Sequence, residues 1–389
     1  MTTLSNARIL DVREGTVREG AVVIEGGHIQ STDTGSRRGG RTFDLQGAYL
    51  LPGLINCHTH LSAVFPFHET DENESPAITA LRCQKRASDA LRAGITTVRT
   101  VGEIHRADLS LRQMIHEGWA DGPRILSGGK SISVTGGHGS GFGSLIADGP
   151  EAFRQAGREE LSAGADHIKI FITGGIAQRK ETFTEPQMSV EEMEAVVAVA
   201  RSGGTYVCAH AGGASQIIKA AAAGVRCFEH GYQLDREACR AIRGAAGYLV
   251  PTLSVTRSPG WMKASGFEDW TIEKATRAGA LHLESIRNAV REGVQIINGT
   301  DLPPGDTNEG VNASVREMSF MVEAGLSPLE AIRASSVRPA ELMGIDKEVG
   351  LIEPGYCADL IAVRQDPLKD ICALEQIFFV MRAGRIVRS

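Results

Sequence analysis

The chain has 389 residues, 42% hydrophobic and 23% charged, with a formal net charge of −6. That length exceeds one ordinary core and the composition is globular, so a large domain beside a smaller one is expected. The acidic balance offers no basic field for nucleic acid, and no stretch has transmembrane length or the form of a signal peptide. The seven cysteines are odd in number and none stands in a C-x-x-C pair, which predicts free thiols and a cytoplasmic location.

Short strands are predicted at residues 7–10, 20–24 and 28–31, with Glu25-Gly26-Gly27 as a turn. The texture then changes. Apolar runs at 51–57, 96–100, 124–127, 167–172, 206–210, 225–230, 248–252 and 294–298 alternate with helical patterns at 77–93, 107–117, 150–163, 190–201, 214–222, 235–243 and 268–291, and an eighth pattern follows at 310–324. The runs are apolar on both parities, as strands buried on both faces are. Eight strands alternating with eight helices predict a (β/α)8 TIM barrel. The alternative, a doubly wound open sheet, lacks a G-x-G-x-x-G after the first run. Residues 327–343 read as a closing helix, with Ser327 as N-cap and Pro328 at its first position. Strand-like runs return at 358–363, 377–381 and 385–387. Neither terminal segment holds a core alone. Together they predict a small β-sandwich, residues 1–52 and 345–389, beside a barrel at 53–344.

Barrel enzymes place their chemistry at the C-terminal ends of the strands. The first run ends in His58-Thr59-His60, the fourth carries Lys169, the fifth ends in His210, the sixth in His230, and Asp301 follows the eighth. Residues two apart on a strand share a face, so His58 and His60 can serve one metal; the same spacing suits two hydrogen-bonded polar histidines. His210 and His230, each alone an ordinary packed histidine, close successive strands. Asp301 also suits a turn or cap. Lys169 is the most informative, since it lies between Ile168 and Ile170 in a strand with no wet face, where a bare ammonium is costly. Burial favours a neutral amine, and a neutral amine can take up carbon dioxide to become an anionic carbamate. Zinc accepts such a mixture of imidazole and oxygen ligands.

In this order and at these strand ends, His58-x-His60, Lys169, His210, His230 and Asp301 resemble the amidohydrolase superfamily in its carboxylated-lysine, two-metal form. The leader from Ala48 to Asn56 and the return from Gly350 to Leu360 resemble the same family. The loop Ser133-Val134-Thr135-Gly136-Gly137-His138-Gly139, and Asp166 to Lys169 followed by Thr173-Gly174-Gly175, are similar to the Xaa-Pro and Xaa-Arg dipeptidase (prolidase-like) group. That group includes acyl-amino-acid carboxypeptidases; the imidazolonepropionase-like proteins are also similar. Relatives often carry Tyr or His two places after the fifth-strand histidine, where this chain has Gly212, a departure that removes a substrate-contacting side chain.

The resemblance implies two divalent ions, zinc being expected. One would be held by His58, His60 and Asp301, the other by His210 and His230, with carboxylated Lys169 bridging them. It implies hydrolysis of a small amide, such as a dipeptide or N-acyl amino acid, with Asp301 shuttling the proton. His138 would either stabilise the oxyanion or be an idle loop histidine. Loop four (174–188) offers Arg179 and Lys180, and loop seven (253–267) offers Arg257 and Trp261. An arginine there can clamp a substrate carboxylate, or it can be solvated surface charge. A lactonase or phosphotriesterase would share every ligand. A deaminase would use H-x-H, His and Asp without the bridging lysine, and a non-enzymatic scaffold would have lost ligands. The expected partner is a small-molecule substrate, with no nucleic acid or membrane, and a homo-oligomer is possible on this sequence.

Overall fold

The computed structural model describes residues 1–33, 40–308 and 310–389. The chain opens with strands β1 (Thr2–Asp11), β2 (Thr16–Glu25), β3 (His28–Ser31), β4 (Arg41–Asp44) and β5 (Tyr49–Pro52). It then alternates: β6 (Leu54–Thr59), α1 (Pro76–Arg92), β7 (Ile95–Thr100), α2 (Ala107–His116), β8 (Arg124–Leu126), the short β9 (Ile132–Ser133) and β10 (Leu145–Ile146), then α3 (Pro150–Ala163). β11 (Ile168–Phe171), α4 (Val190–Ser202), β12 (Val207–Gly213), α5 (Ala214–Ala223), β13 (Cys227–Gln233) and α6 (Arg236–Gly244) follow. Next come β14 (Tyr248–Val250), α7 (Leu253–Thr256), α8 (Pro259–Ala264), α9 (Asp269–Arg291) and β15 (Gln295–Ile296). A hairpin of β16 (Thr307–Asn308) and β17 (Val311–Asn312) leads into α10 (Ala313–Glu323), α11 (Pro328–Ala334) and α12 (Val337–Leu342). The chain closes on β18 (Leu360–Val363), β19 (Phe379–Arg382) and β20 (Arg385–Arg388).

The fold is mixed α/β. The middle strands pair in parallel, as β6-β7-β8 and as β10-β9-β11-β12-β13-β14-β15. Every residue of β6, β7, β11 and β12 is buried, which explains runs apolar on both parities. Backbone bonds join the two sheets at both edges: Cys57 N–H donates to Asn298 O (2.7 Å) and Asp166 N–H to Ser127 O (2.7 Å). The two chain ends meet in one sheet of order β20-β19-β18-β5-β1-β2-β3, with β4 also on β1. Among the described residues no helix is long and apolar enough to cross a membrane.

Three expectations are corrected. The run at 51–57 is two strands, because Gly53 lies where an added Cβ would meet Thr96 Oγ1 at 2.1 Å and the backbone turns there from one sheet to the other. The closing helix is broken into α11 and α12. Ser327 does cap it, accepting from Glu330 N–H, with Pro328 at the first position. Pro339, however, has no N–H for the carbonyl four residues back, and that carbonyl, Ser335 O, accepts Ile55 N–H of β6 instead (2.8 Å). The segment given as loop seven, 253–267, holds two short helices, α7 and α8. Pro259 starts α8, and the buried Glu317 carboxyl of α10 accepts Leu253 N–H and Ser254 N–H (both 2.7 Å) at the start of α7.

Burial raises the Glu317 carboxyl to about 7, against the opposing hydrogen bonds from Ser254 and Leu253. The native state therefore keeps a proton that the unfolded chain releases near 4.5, and stability declines as pH rises through that window. The unfolding free energy from denaturant curves should fall from pH 5 to pH 8, by up to about 3 kcal/mol from this group, and Glu317→Gln should flatten that slope. An unchanged slope in the variant would show that Glu317 is ionised throughout.

Candidate active site

His58 and His60 end β6 on one face, Lys169 lies within β11, His210 within β12, His230 within β13, and Asp301 follows β15. The segment after β15 is pressed onto β6: Thr300 N–H and Asp301 N–H both reach His58 O (3.1 and 2.8 Å), and an added Cβ at Gly299 would meet His58 N at 2.7 Å. His230 (φ 71°), Thr252 (φ 51°) and Asp301 (φ 56°) are left-handed without being glycine. Such residues persist only where their surroundings over-determine them, and they cluster at functional sites.

The rings gather closely. Centroids are 5.5 Å apart for His58 and His60, 5.0 Å for His58 and His230, and 4.5 Å for His210 and His230. Asp301 Oδ1 lies 3.3 Å from His58 Nε2 and 3.4 Å from His60 Nε2. Each imidazole is oriented by a protein partner on its other nitrogen. His58 Nδ1 meets Glu229 Oε2 (2.6 Å), His60 Nδ1 meets Gly102 O (2.8 Å), His230 Nδ1 meets Thr252 Oγ1 (2.7 Å), and His210 Nε2 meets Gly174 O (3.0 Å). The second nitrogens are Nε2 of His58 and His60, which face Asp301, Nε2 of His230, and Nδ1 of His210. Ligating histidines are normally held in this way.

Electrostatics match. Burial holds His210 and His230 well below the ordinary imidazole range, with neighbouring positive charge adding to it, so both are neutral. Burial opposes ionisation of Asp301, but the charge and hydrogen bonds of His58 and His60 outweigh it and hold the carboxyl well below its usual value. For His60 burial lowers and Asp301 raises; Asp301 wins. Lys169 is buried, and among the described residues no carboxylate pairs with it; its Nζ stands 5.4 Å from the Phe171 ring centre.

His58, His60, Lys169, His210, His230 and Asp301 all line one cavity that opens to solvent, and so do His138 and Trp261. His138 Nδ1 is held by Glu181 Oε2 at 2.8 Å, and its ring lies 4.3 Å from that of His210. Arg179 and Arg257 are not brought to this cavity. Arg179 is exposed on loop four. Arg257 turns to Glu323 (2.7 Å) and lies over the Phe320 ring (4.9 Å). Two near-surface carboxylate and aromatic partners outcompete a place in the cleft.

Other residues at the site had gone unread. Arg99 is fully buried, bonds Cys57 O (2.6 Å) and pairs with Glu229 (2.7 Å), so a charged pair under the site holds His58 in place. Arg99 sits in an apolar strand as Lys169 does, which is the signal that could have found it. Tyr232 lines the cavity, its ring stacked on His230 at 5.2 Å and 1°.

Gly212 also acquires a reason. A Cβ there would lie 1.7 Å from Phe183 O and 3.2 Å from Tyr232, so loop four occupies the space of the missing side chain. Gly212→Ala must push loop four away, and with it Glu181, the partner of His138. The expected result is a fall in kcat/KM of about 10–10²-fold with metal content retained, the range for misplacing a site by about 1 Å. Unchanged kinetics in a folded variant would show that loop four does not position the site.

A family model described as "Amidohydrolase family" matches residues 49–388. Ochratoxinase from Aspergillus niger is 29% identical over 375 residues, covering 87% of this chain and 76% of that one. Among solved structures, a Xaa-Pro dipeptidase with bound methionine in the active site superposes with a TM-score of 0.91 at 31% identity, covering 100% of both chains. A prolidase complexed with N-methylphosphonate-L-proline gives a TM-score of 0.91 at 29% identity, covering 100% of this chain and 99% of that one. The chain belongs to the amidohydrolase family. It is an enzyme, a hydrolase acting on amide bonds, in a family that uses divalent metal ions.

Proposed function

We propose that this is a two-metal amidohydrolase of a small amide, working at the cavity bounded by β6, β11, β12, β13 and the segment after β15. His58, His60 and Asp301 would hold one divalent ion, His210 and His230 the other, and carboxylated Lys169 would bridge them; zinc suits the nitrogen and oxygen donors. The observation that carries this reading is the arrangement of the four imidazoles. Each has one nitrogen oriented by a protein partner, and the second nitrogens of His58 and His60 converge on Asp301, the third group proposed for that ion. The grouping of His58, His60 and Asp301 within 4.8 Å supports it. The two backbone bonds joining the parallel sheets support a closed (β/α)8 barrel over residues 53–344. The shared terminal sheet supports one small β domain built from residues 1–52 and 345–389, the part read above as a β-sandwich. A cytoplasmic location follows from the cysteine pattern.

Bound there, the ions would bring the pKa of water from 15.7 to ~7 and polarise the amide carbonyl. The chain's own groups do the rest. Asp301 accepts the proton of the attacking water on its carboxylate and delivers it to the nitrogen as the C–N bond breaks. His138, fixed by Glu181, directs Nε2 toward the developing oxyanion. Relatives described as a Xaa-Pro dipeptidase, a prolidase and ochratoxinase support an amide as the bond attacked. The test is metal analysis of protein prepared without chelator, with turnover screened over dipeptides, N-acyl amino acids, simple amides, lactones and phosphotriesters. About two ions per chain are expected, with amide turnover lost to a chelator and restored by zinc. Chelator-resistant turnover, or turnover of lactones or phosphotriesters in place of amides, overturns the reading.

A further inference from the structure

We propose that the cavity selects amides bearing an uncharged aromatic group over dipeptides and N-acyl amino acids with a free carboxylate. The inference rests on the hydrolase reading above and names its substrate class.

The first observation is the wall facing the histidines. Of 12 phenylalanines, 3 tryptophans and 5 tyrosines in the chain, seven line this one cavity. Five of them touch one another. Phe65 lies 5.0 Å from Phe67 and 5.3 Å from Trp261, edge to face; Phe67 lies 5.3 Å from Phe142 and 5.9 Å from Phe267; Trp261 and Phe267 are 5.7 Å apart. They arrive from three separate places: the loop after β6, the loop between β9 and β10, and the α8 region. Such a surface offers an incoming ring edge-to-face and stacked contacts on several sides.

The second observation is charge. Among the described residues lining the cavity, Lys169 is the one lysine, and no arginine is present. The cations that flank the wall are spent on the protein. Arg82 bonds Glu74 (2.8 Å) and Ser62 O (3.1 Å), and Arg86 bonds Leu61 O (2.8 Å) and lies over Phe65. Lys274 bonds Gln178 O (2.6 Å) and Glu181 O (2.7 Å). These contacts tie the cations into the loops, and none of the three lines the cavity. His138 lines the cavity with its Nδ1 held by Glu181 Oε2 at 2.8 Å. A carboxylate against this wall would be desolvated without a partner, whereas an aromatic ring would gain its full burial.

The experiment uses wild-type, metal-loaded enzyme and substrates sharing one type of scissile bond. N-acetylphenethylamine has the ring and no charge, N-acetylphenylalanine adds the carboxylate, and N-acetylpropylamine lacks the ring. N-propyl-phenylacetamide carries the ring on the acyl side. One of the two neutral aryl amides is expected to exceed N-acetylpropylamine in kcat/KM by about 10–100-fold and N-acetylphenylalanine by at least about tenfold. Trp261→Ala, checked by circular dichroism and metal content, should shrink the aryl preference several-fold. Equal or better turnover of the carboxylate substrate, or no advantage for the ring, overturns the inference and leaves the hydrolase reading intact. Should no member be turned over, quenching of tryptophan fluorescence decides. Binding of the neutral aryl amides alone upholds the inference while the hydrolase reading fails, and failure to bind them sinks the inference.

Discussion

Lys169→Ala is expected to lower kcat by about 10³-fold or more, the loss that corresponds to several kcal/mol of transition-state stabilisation, and to reduce bound metal from about two ions per chain toward one. The argument begins with position. Lys169 lies in β11 between Ile168 and Ile170, all buried, and it shares one cavity with the four histidines and Asp301. A carbamate on that nitrogen, as proposed, would supply two oxygens where ligands are wanted. The alanine variant leaves room for a small anion in its place. Millimolar formate, acetate or propionate should therefore restore part of the activity and part of the metal, and the same acids should leave the wild type unaffected. Full activity in the variant with no additive would remove Lys169 from the site's chemistry. Loss of activity with both metals retained and no rescue would assign it a role other than bridging.

Much of the site was legible because a buried strand makes any ionisable residue conspicuous. His210, His230 and Lys169 stood out against apolar neighbours, and the structure brings them into one cavity with His58, His60 and Asp301. Arg99 met the same criterion in β7 and was passed over, since no strand-end position drew attention to it; it holds Glu229, and Glu229 holds His58. The loops were less legible. Arg179 and Arg257 were read from residue type, but the direction of a side chain on a loop depends on partners such as Glu323, far along the chain. The aromatic wall was invisible for the same reason: Phe65, Phe142 and Phe267 are brought together only by the fold. The regular helices followed from periodicity, with Pro150–Ala163 as read. The break between α11 and α12 did not, although Pro339 marked it, because the donor that takes up Ser335 O is the distant Ile55 N–H. That β18 pairs with β5, antiparallel across some three hundred residues, is likewise a long-range fact that local pattern does not carry.

Asp301→Asn separates the two parts proposed for that residue. As a ligand, the carboxylate contributes charge and an oxygen donor beside His58 Nε2 and His60 Nε2, at 3.3 and 3.4 Å. As a proton carrier, it must also take up and release a proton in each turnover. Asparagine keeps the shape and one oxygen but carries no proton. The backbone at this position is held independently of the side chain, since Asp301 N–H donates to His58 O (2.8 Å), and asparagine tolerates the left-handed φ of 56° about as well as aspartate does. The variant should therefore fold normally and retain at least one metal through the four histidines and Lys169. Turnover should nevertheless fall by roughly 10²–10⁴-fold, the range for loss of a general acid–base group, with KM changed much less than kcat. The measurement is steady-state kinetics on one amide substrate, with metal content and thermal midpoint taken on the same preparations. Normal kcat with normal metal content would reduce Asp301 to a turn residue after β15. Loss of metal in step with loss of activity would make it a ligand and leave the proton to another group.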